Sequence, residues 1–359
     1  MTSENSEQTS SMQVAGRRTP LLGMTLDNLR ELVAEEGLPR FAAGQIADWL
    51  YKKRVSDIDS MTNLSKDARK RLAEKYIVGR EVPITRLVSA DGTCKYLFHG
   101  AGGREIEAVM IPDRDRATLC VSSQAGCRMN CGFCMTGRQG FHGNLSSASI
   151  INQILSIDES DSLTNIVFMG MGEPMDNIDA VLHAIEILTA PWGLAWSPKR
   201  ITVSSIGKID GLRRLLEETR VHVAISAHNP YSSEREVLMP VEKAYPLLDV
   251  ISLLRQYDFA HQRRLSVEYI MWRGKNDSLR YASALARIFK PVEGVRVNLI
   301  RFHAIPDCEL APTSQSTMEA FRDKLNDLGI TATIRTSRGE DIMAACGMLA
   351  GKQSQQDKI

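Results

Sequence analysis

The sequence predicts an α/β protein built on a parallel sheet, doubly wound or curled as a barrel, behind a small helical module and a short β-rich connector. Three observations carry this. From Cys120 onward, short strand-like runs alternate with helical periodicities, and repeated βα units imply parallel strands with helical crossovers. Polar and glycine residues follow the strand candidates, where ligands of such sheets bind. Three of the seven cysteines crowd into eight residues.

The chain has 359 residues, long for one ordinary core, so a large domain plus a small one is expected. It is 43% hydrophobic and 24% charged, a globular composition. Its net charge of +1 announces no nucleic-acid partner, so an RNA-binding surface must be a local patch. No apolar run approaches a membrane span. The stretch Met1 to Gln13 lacks the apolar segment of a signal peptide. The expected location is the cytoplasm, where thiols stay reduced and clustered cysteines suggest metal or redox chemistry.

Residues 1–19 are rich in Ser, Thr and Gln and read as a disordered tail. Residues 20–90 read as the helical module. Thr25 is a plausible N-cap before Leu26, Leu29, Leu32 and Val33. A second periodic stretch holds Gln45, Ile46, Trp49 and Leu50. A third, from Leu64 to Tyr76, carries Lys66, Arg69, Lys70, Arg71 and Lys75, by itself most simply a solvated helix face. The connector, 91–115, and the start of the next part hold strand-like runs at 95–98, 105–109 and 117–121. Residues 116–351 form the βα part, with strands expected near 165–169, 200–204, 222–226, 265–269, 295–300 and 331–335. Helical patterns between them cover 180–188, 209–217, 279–288 and 317–328. Residues 352–359 read as a polar tail.

The strongest chemical signal is Cys127-Arg-Met-Asn-Cys131-Gly-Phe-Cys134. Thiolates are the usual ligands of iron–sulfur clusters, and one compact loop can present three of them. Three ligands on four irons leave one iron open to a small molecule. Zinc, the competing occupant, usually recruits four ligands, often as two separated pairs. No second pair matches here, and nothing singles out His142 as a fourth ligand. Further on, Phe168-Met-Gly-Met-Gly172-Glu173-Pro174 follows a strand. Its glycines let backbone approach a ligand, and Glu173 offers a carboxylate acceptor. Near the C-terminus, Cys346 lies among small residues, with Arg335 and Arg338 close enough in sequence to lower its pKa. A lone cysteine is more often a small buried hydrophobe.

The CxxxCxxC spacing is the signature of the radical S-adenosylmethionine (SAM) superfamily. The ordered set GCxxxCxFC, MGMGEP and RxSRGxDIxAACG resembles the RlmN/Cfr family of RNA adenine methyltransferases, over about residues 20–351. The resemblance implies a partial (βα)6 barrel with an N-terminal accessory RNA-binding domain. It implies a [4Fe-4S] cluster on Cys127, Cys131 and Cys134, with SAM chelating the open iron and cleaved there to a 5′-deoxyadenosyl radical. Gly172, Glu173, Ser204, Ser226, Ala227 and His228 would contact SAM. Cys346 would carry a methyl group from one SAM, and a second SAM would supply the radical. Cys120 would resolve the covalent RNA adduct through a transient Cys120–Cys346 disulfide. Glu107 would be the proton acceptor. Adenine C2 is a poor nucleophile, so radical chemistry carried by a cofactor is needed there.

The chain departs from the family at Phe302-His303-Ala304. His303 stands where the family has an Asn that contacts SAM. Cys94 and Cys308 match no catalytic position. The implied substrates are an adenosine in the peptidyl-transferase region of 23S rRNA and the adenosine 3′ of the anticodon in tRNA, each presented unstacked. The implied electron donor is of flavodoxin type, the implied state a monomer, and no membrane is involved. Methylation at adenine C8, as in the Cfr group, is the alternative within the family. Pro174 favours C2. A non-catalytic RNA-binding protein with a structural metal site is the alternative of another class, and it would not need Cys120, Cys346 and Glu107 together.

Overall fold

The computed structural model describes residues 18–350. Residues 1–17 of the expected N-terminal tail, and all of the expected tail at 352–359, lie outside the described residues. Thr19, assigned to the tail by sequence, pairs in parallel with Tyr76, and Pro20 with Ile77.

The N-terminal module holds α1 (Leu26–Glu35), α2 (Ala42–Ala47), which runs into a π-turn at Asp48–Lys52, and α3 (Lys66–Lys75). Thr25 caps α1 as its sequence predicts. Its hydroxyl accepts from the Asn28 amide at 3.3 Å, and Asn28 Oδ1 accepts from the Thr25 amide at 3.1 Å. On α3 the basic face is partly consumed internally. Lys75 pairs with Glu36 at 2.9 Å and Arg71 donates to the Glu36 carbonyl at 3.1 Å.

A ten-stranded sheet forms the rest of the frame. Its strands are β1 (Thr85–Val88), β2 (Cys94–His99), β3 (Glu105–Asp113), β4 (Arg116–Cys120), β5 (Asn165–Phe168), β6 (Ile201–Ser205), β7 (His222–Ser226), β8 (Leu265–Met271), β9 (Val295–Arg301) and β10 (Thr331–Ile334). Strands β4 to β10 are parallel and lie in sequence order, whereas β1 to β4 pair antiparallel. The β-rich passage is thus one edge of the main sheet. Thr85–Val88, placed in the helical module by sequence, is its outermost strand.

Helical crossovers link the parallel strands: α4 (Ser147–Leu155), α5 (Ile178–Thr189), α6 (Ile209–Glu218), α7 (Ser232–Leu238) with α8 (Leu247–Leu254), α9 (Leu279–Phe289) and α10 (Gln315–Asp327). Sequence periodicity had not singled out α4. It is apolar through Ile150, Ile151, Ile154 and Leu155, a run too short for periodicity to separate from a buried strand. The N-terminal module docks on α4. Asn152 exchanges two hydrogen bonds with the Glu81 backbone, at 2.9 and 3.0 Å. Gly23 approaches so closely that a Cβ there would sit 2.2 Å from the Ala148 amide nitrogen.

Arg235 on α7 clamps the carboxyl ends of β6 and β7. It is fully buried. Its Nε donates to the Ala227 carbonyl at 2.9 Å, and its Nη2 to the carbonyls of Ile206 and Ser226 at 3.1 and 3.0 Å. Its Nη1 pairs with buried Glu242. Removing one member of such a pair strands the other charge in the interior, at a cost of about 3–5 kcal/mol. Arg235→Met is expected to lower stability by about that amount in urea unfolding. A loss below about 1 kcal/mol would show that the clamp is dispensable.

Candidate active site

The site is set by strand parity. Side chains of paired residues in a parallel sheet share a face, and faces alternate every residue. On one face run Ile166, Ile201, Val203, Val223, Ile225, Val267, Val297 and Leu299, all buried, the apolar surface expected under helical crossovers. On the other face, Ser226 pairs with Glu268, Glu268 with Asn298, and Asn298 with Thr333. These join into a network. Glu268 Oε1 accepts from Ser266 and Asn298, each at 2.8 Å, and Asn298 accepts from Thr333 at 3.0 Å. Ser204, half-buried, belongs to this polar face through its partner Ala224, two residues before Ser226. So does Cys120, through Val167 and Thr202. Cys120 also pairs with Val109, and Glu107 lies two residues before Val109 on the same face.

The cysteine loop sits at one end of this face. The Cys127 amide donates to the Gly140 carbonyl at 2.9 Å, the Gly132 amide to Leu238 at 3.1 Å, and the Met135 amide to Gly347 at 2.9 Å. Gly126 at φ +72° admits the Gly140 carbonyl where a Cβ would collide at 1.9 Å. Cys131 and Phe133 belong to a small apolar cluster with Ile206, Trp272, Phe302, Ala345 and Met348, which joins the loop to the C-terminal segment. Burial pushes the Cys127 thiol up to about 12, and Cys131 is likewise held well above the usual thiol range, first by burial and then by its two neighbouring thiols. Thiols that resist ionisation alone but lie together need a cationic centre to hold them as thiolates. Three thiols on one loop match the donor set of an iron–sulfur cluster with one open iron, whereas structural zinc usually takes four protein ligands. His142 is engaged elsewhere, its Nε2 lying 3.1 Å from the Gln139 carbonyl.

The other sequence-predicted residues distribute as follows. Gly172 adopts φ +97° and packs on Gln124, where a Cβ would lie 2.5 Å from the Gln124 Cβ. Glu173 is buried. Its two oxygens accept from the Met175 and Ile206 amides at 3.1 and 3.0 Å, tying the ends of β5 and β6. Burial nevertheless raises its pKa to about 7. Ser226, Ala227 and His228 close β7, and the carbonyls of Ser226 and Ala227 accept from Arg235. His228 is buried with φ +57°. Its Nδ1 accepts from the Ile270 amide at 3.1 Å, and its ring meets Phe133 edge-on at 5.0 Å. His303 is buried on the adjoining turn, its Nδ1 3.3 Å from Glu340 but without hydrogen-bond geometry.

Cys346 is brought to this end of the polar face from the far end of the chain. It is solvent-accessible, yet closely surrounded by protein atoms. Arg335, Glu268 and Cys134 act on its ionisation, and it in turn acts on that of Cys120. The arginines were expected to activate Cys346 by lowering its pKa. The opposite holds: burial raises it, with Arg335 offsetting only part. Cys120 is pushed up to about 12, by burial first and then by Cys346. Glu107, buried, faces Lys95 at 3.4 Å and accepts from the Ala350 amide at 3.2 Å. Lys95 also donates to the Met343 carbonyl at 3.3 Å, so it fastens the C-terminal segment over Glu107.

Sequence reading missed Lys95, Arg235 and the Glu268–Asn298 network. Lys95 carried one usable signal: it pairs with Val109 in the antiparallel ladder, which puts it on the face of Glu107. Arg235 carried none, because its partners are backbone carbonyls of distant segments.

Comparison with known proteins gives a consistent picture. Residues 19–78 match the family "Ribosomal RNA large subunit methyltransferase N-terminal domain", and residues 121–283 match the radical SAM superfamily. The chain is 56% identical over 341 residues to a probable dual-specificity RNA methyltransferase RlmN of Phocaeicola vulgatus, covering 95% of this chain and 97% of that one. It is 38% identical to the dual-specificity RNA methyltransferase RlmN of Geotalea uraniireducens, over 93% and 97% of the two chains. A crystal structure of a radical SAM methyltransferase from Sphaerobacter thermophilus superposes with a TM-score of 0.85 at 37% identity, over 92% of this chain and 99% of that one.

The buried His228 has a pH consequence. Its pKa falls from 6.5 to about 3, by burial and then by Arg235. The unfolded chain therefore binds a proton that the folded chain refuses between those values, so stability drops as pH falls below about 6.5. Asn keeps an acceptor and tolerates positive φ. His228→Asn is expected to flatten the stability curve between pH 4 and 6 by about 1.4 kcal/mol per pH unit. Urea midpoints across that range measure it, and an unchanged slope refutes it.

Proposed function

The chain belongs to the RlmN family of radical SAM methyltransferases, and from that premise we propose that it methylates C2 of an adenine in RNA. The substrates are 23S rRNA, in the peptidyl-transferase region, and tRNA, at the adenosine 3′ of the anticodon. The observation that supports the reading is that Cys120 shares the face of Glu107, while Glu107 accepts from the Ala350 amide and Lys95 donates to the Met343 carbonyl, which ties the segment carrying Cys346 over that face. A structural metal site would require only the loop thiols.

Cys127, Cys131 and Cys134 hold a [4Fe-4S] cluster. Gly172, Glu173, Ser204, Ser226, Ala227, His228 and His303 line the SAM site beside it. When bound, the cluster and SAM supply the one-electron chemistry and the methyl group, with two SAM consumed per turnover. Cys346 is the accessible thiol of the set, and it carries the methyl group as S-methylcysteine and then bonds through that carbon to the base. Cys120 attacks the Cys346 sulfur to release the product, forming a disulfide by ordinary thiol displacement. Its high pKa keeps it a protonated bystander until then. Glu107, held by Lys95 and the Ala350 amide, takes the proton lost from the base. The protein works in the cytoplasm as a monomer with a flavodoxin-type donor. No helix among the described residues is long and apolar enough to cross a membrane.

Anaerobically reconstituted enzyme with RNA, SAM and reductant is expected to yield 2-methyladenosine by nucleoside mass spectrometry. Exclusive 8-methyladenosine would move the enzyme to the Cfr-type reaction. Cys120→Ala is expected to accumulate a covalent enzyme–RNA adduct on denaturing gels, and Cys346→Ala to form none. Normal turnover by Cys120→Ala would rule out the two-cysteine route.

A further inference from the structure

The parallel strands have two ends, and only the carboxyl end belongs to the site above. At the amino end, cations gather on three neighbouring strands. Lys199 and Arg200 immediately precede β6, Arg220 and His222 lead into and begin β7, and Arg263 and Arg264 immediately precede β8. Register places these strand starts side by side, since Thr202 pairs with His222 and Val223 with Leu265. Lys199, Arg200, Arg220 and Arg264 are exposed.

The cluster is physically tight. Arg220 and Arg263 both donate to the Thr219 carbonyl, at 3.1 and 2.7 Å. The Arg264 amide donates to His222 Nδ1 at 2.9 Å. Arg263 is buried, and its Nη1 has no hydrogen-bond partner. Among the described residues, none of Lys199, Arg200, Arg220, Arg263 or Arg264 forms an ion pair. The nearby acids are engaged elsewhere. Glu218 is taken by Arg214 at 2.8 Å, Asp258 lies 3.4 Å from His261, and Glu217 accepts from Tyr257 at 3.3 Å. In a chain whose net charge is only +1, this is a local concentration of uncompensated charge. Trp196 lies beside it, with Arg200 over its ring at 5.5 Å.

We infer that this amino-end rim is a second contact surface for RNA, gripping phosphates remote from the base that reacts. The inference rests on the reading that RNA is the substrate. Adjacent strands lie about 5 Å apart, so the three strand starts span roughly 10 Å. Over that length a nucleic-acid duplex presents several phosphates. Exposed arginines suit phosphate recognition by their planar fork, and Trp196 adds a face on which an unpaired base stacks. The rim sits a full strand length from the cysteine loop. An acidic electron donor docked there would be far from the thiols it must serve, which makes the RNA backbone the fitting polyanion.

The test is binding of the full-length protein to total tRNA and to a 23S rRNA fragment transcript, by filter retention across a salt series. The variant replaces the four exposed cations together: Lys199→Ala, Arg200→Ala, Arg220→Ala, Arg264→Ala. Affinity near 0.1 M salt is expected to fall at least tenfold, and the slope of log affinity against log salt to shrink by about 3, since each lost phosphate contact removes about 0.7–0.9. Replacing the three arginines by Lys is expected to keep most of the slope, which a folding defect would not allow. If the wild type methylates RNA while the alanine variant keeps its affinity and slope, the rim is not an RNA surface. If the wild type binds neither RNA, the rim and the RNA-substrate reading fall together.

Discussion

Everything in the molecule depends on the register of the parallel ladder from β4 to β10. Because side chains alternate faces, register decides which residues meet helices and which meet the open face. One residue of slip in β8 would send Glu268 under the helices and expose Val267 and Tyr269. Burying an unpaired carboxylate costs far more than burying those two residues gains. The pattern therefore enforces itself strand by strand. It also aligns Cys120, Ser204, Ser226 and Glu268 on one side, although they come from four different strands.

Alignment along the strands is not enough to build the site, because its chemistry sits at their carboxyl ends, where ladder hydrogen bonds run out. Buried side chains replace them. Arg235 gathers carbonyls from Ile206, Ser226 and Ala227, while Glu173 gathers amides from Met175 and Ile206. A guanidinium and a carboxyl thus satisfy opposite halves of the same loose backbone, which otherwise would be left unpaired in the interior. On that base rests the apolar cluster of Phe133, Trp272, Phe302, Ala345 and Met348. It fastens the cysteine loop and the Cys346 segment to the same wall, so both are positioned by one packing event.

The electrostatics of the site are those of burial. The thiols of Cys120, Cys127 and Cys131 and the carboxyl of Glu173 are all shifted toward their neutral forms, and His228 likewise. Such a pocket is poorly suited to free anions and well suited to groups neutralised by a bound cationic centre. The expectation that Arg335 and Arg338 would activate Cys346 failed for this reason. Sequence shows charges nearby, whereas desolvation depends on how many protein atoms surround the sulfur.

Local sequence determined a good deal here. The alternation of strand and helix periods, the Thr25 cap, the loop spacing of the three cysteines and the glycine-rich turn before Pro174 are short-range features, each dictated by backbone geometry within a few residues. They were legible, and the strand positions followed within a residue or two, apart from Thr85–Val88, which was missed, and Glu105–Asp113, which runs four residues past its expected end. Short α4 escaped because a brief apolar run has no period to measure. What only tertiary structure decided are the long-range meetings: Lys95 with Glu107, Arg235 with three strand-end carbonyls, the Ala350 amide with Glu107, and the cationic rim. Those depend on strand order and register. Many pairings across a sheet satisfy the same local preferences, and only burial of one whole face selects among them.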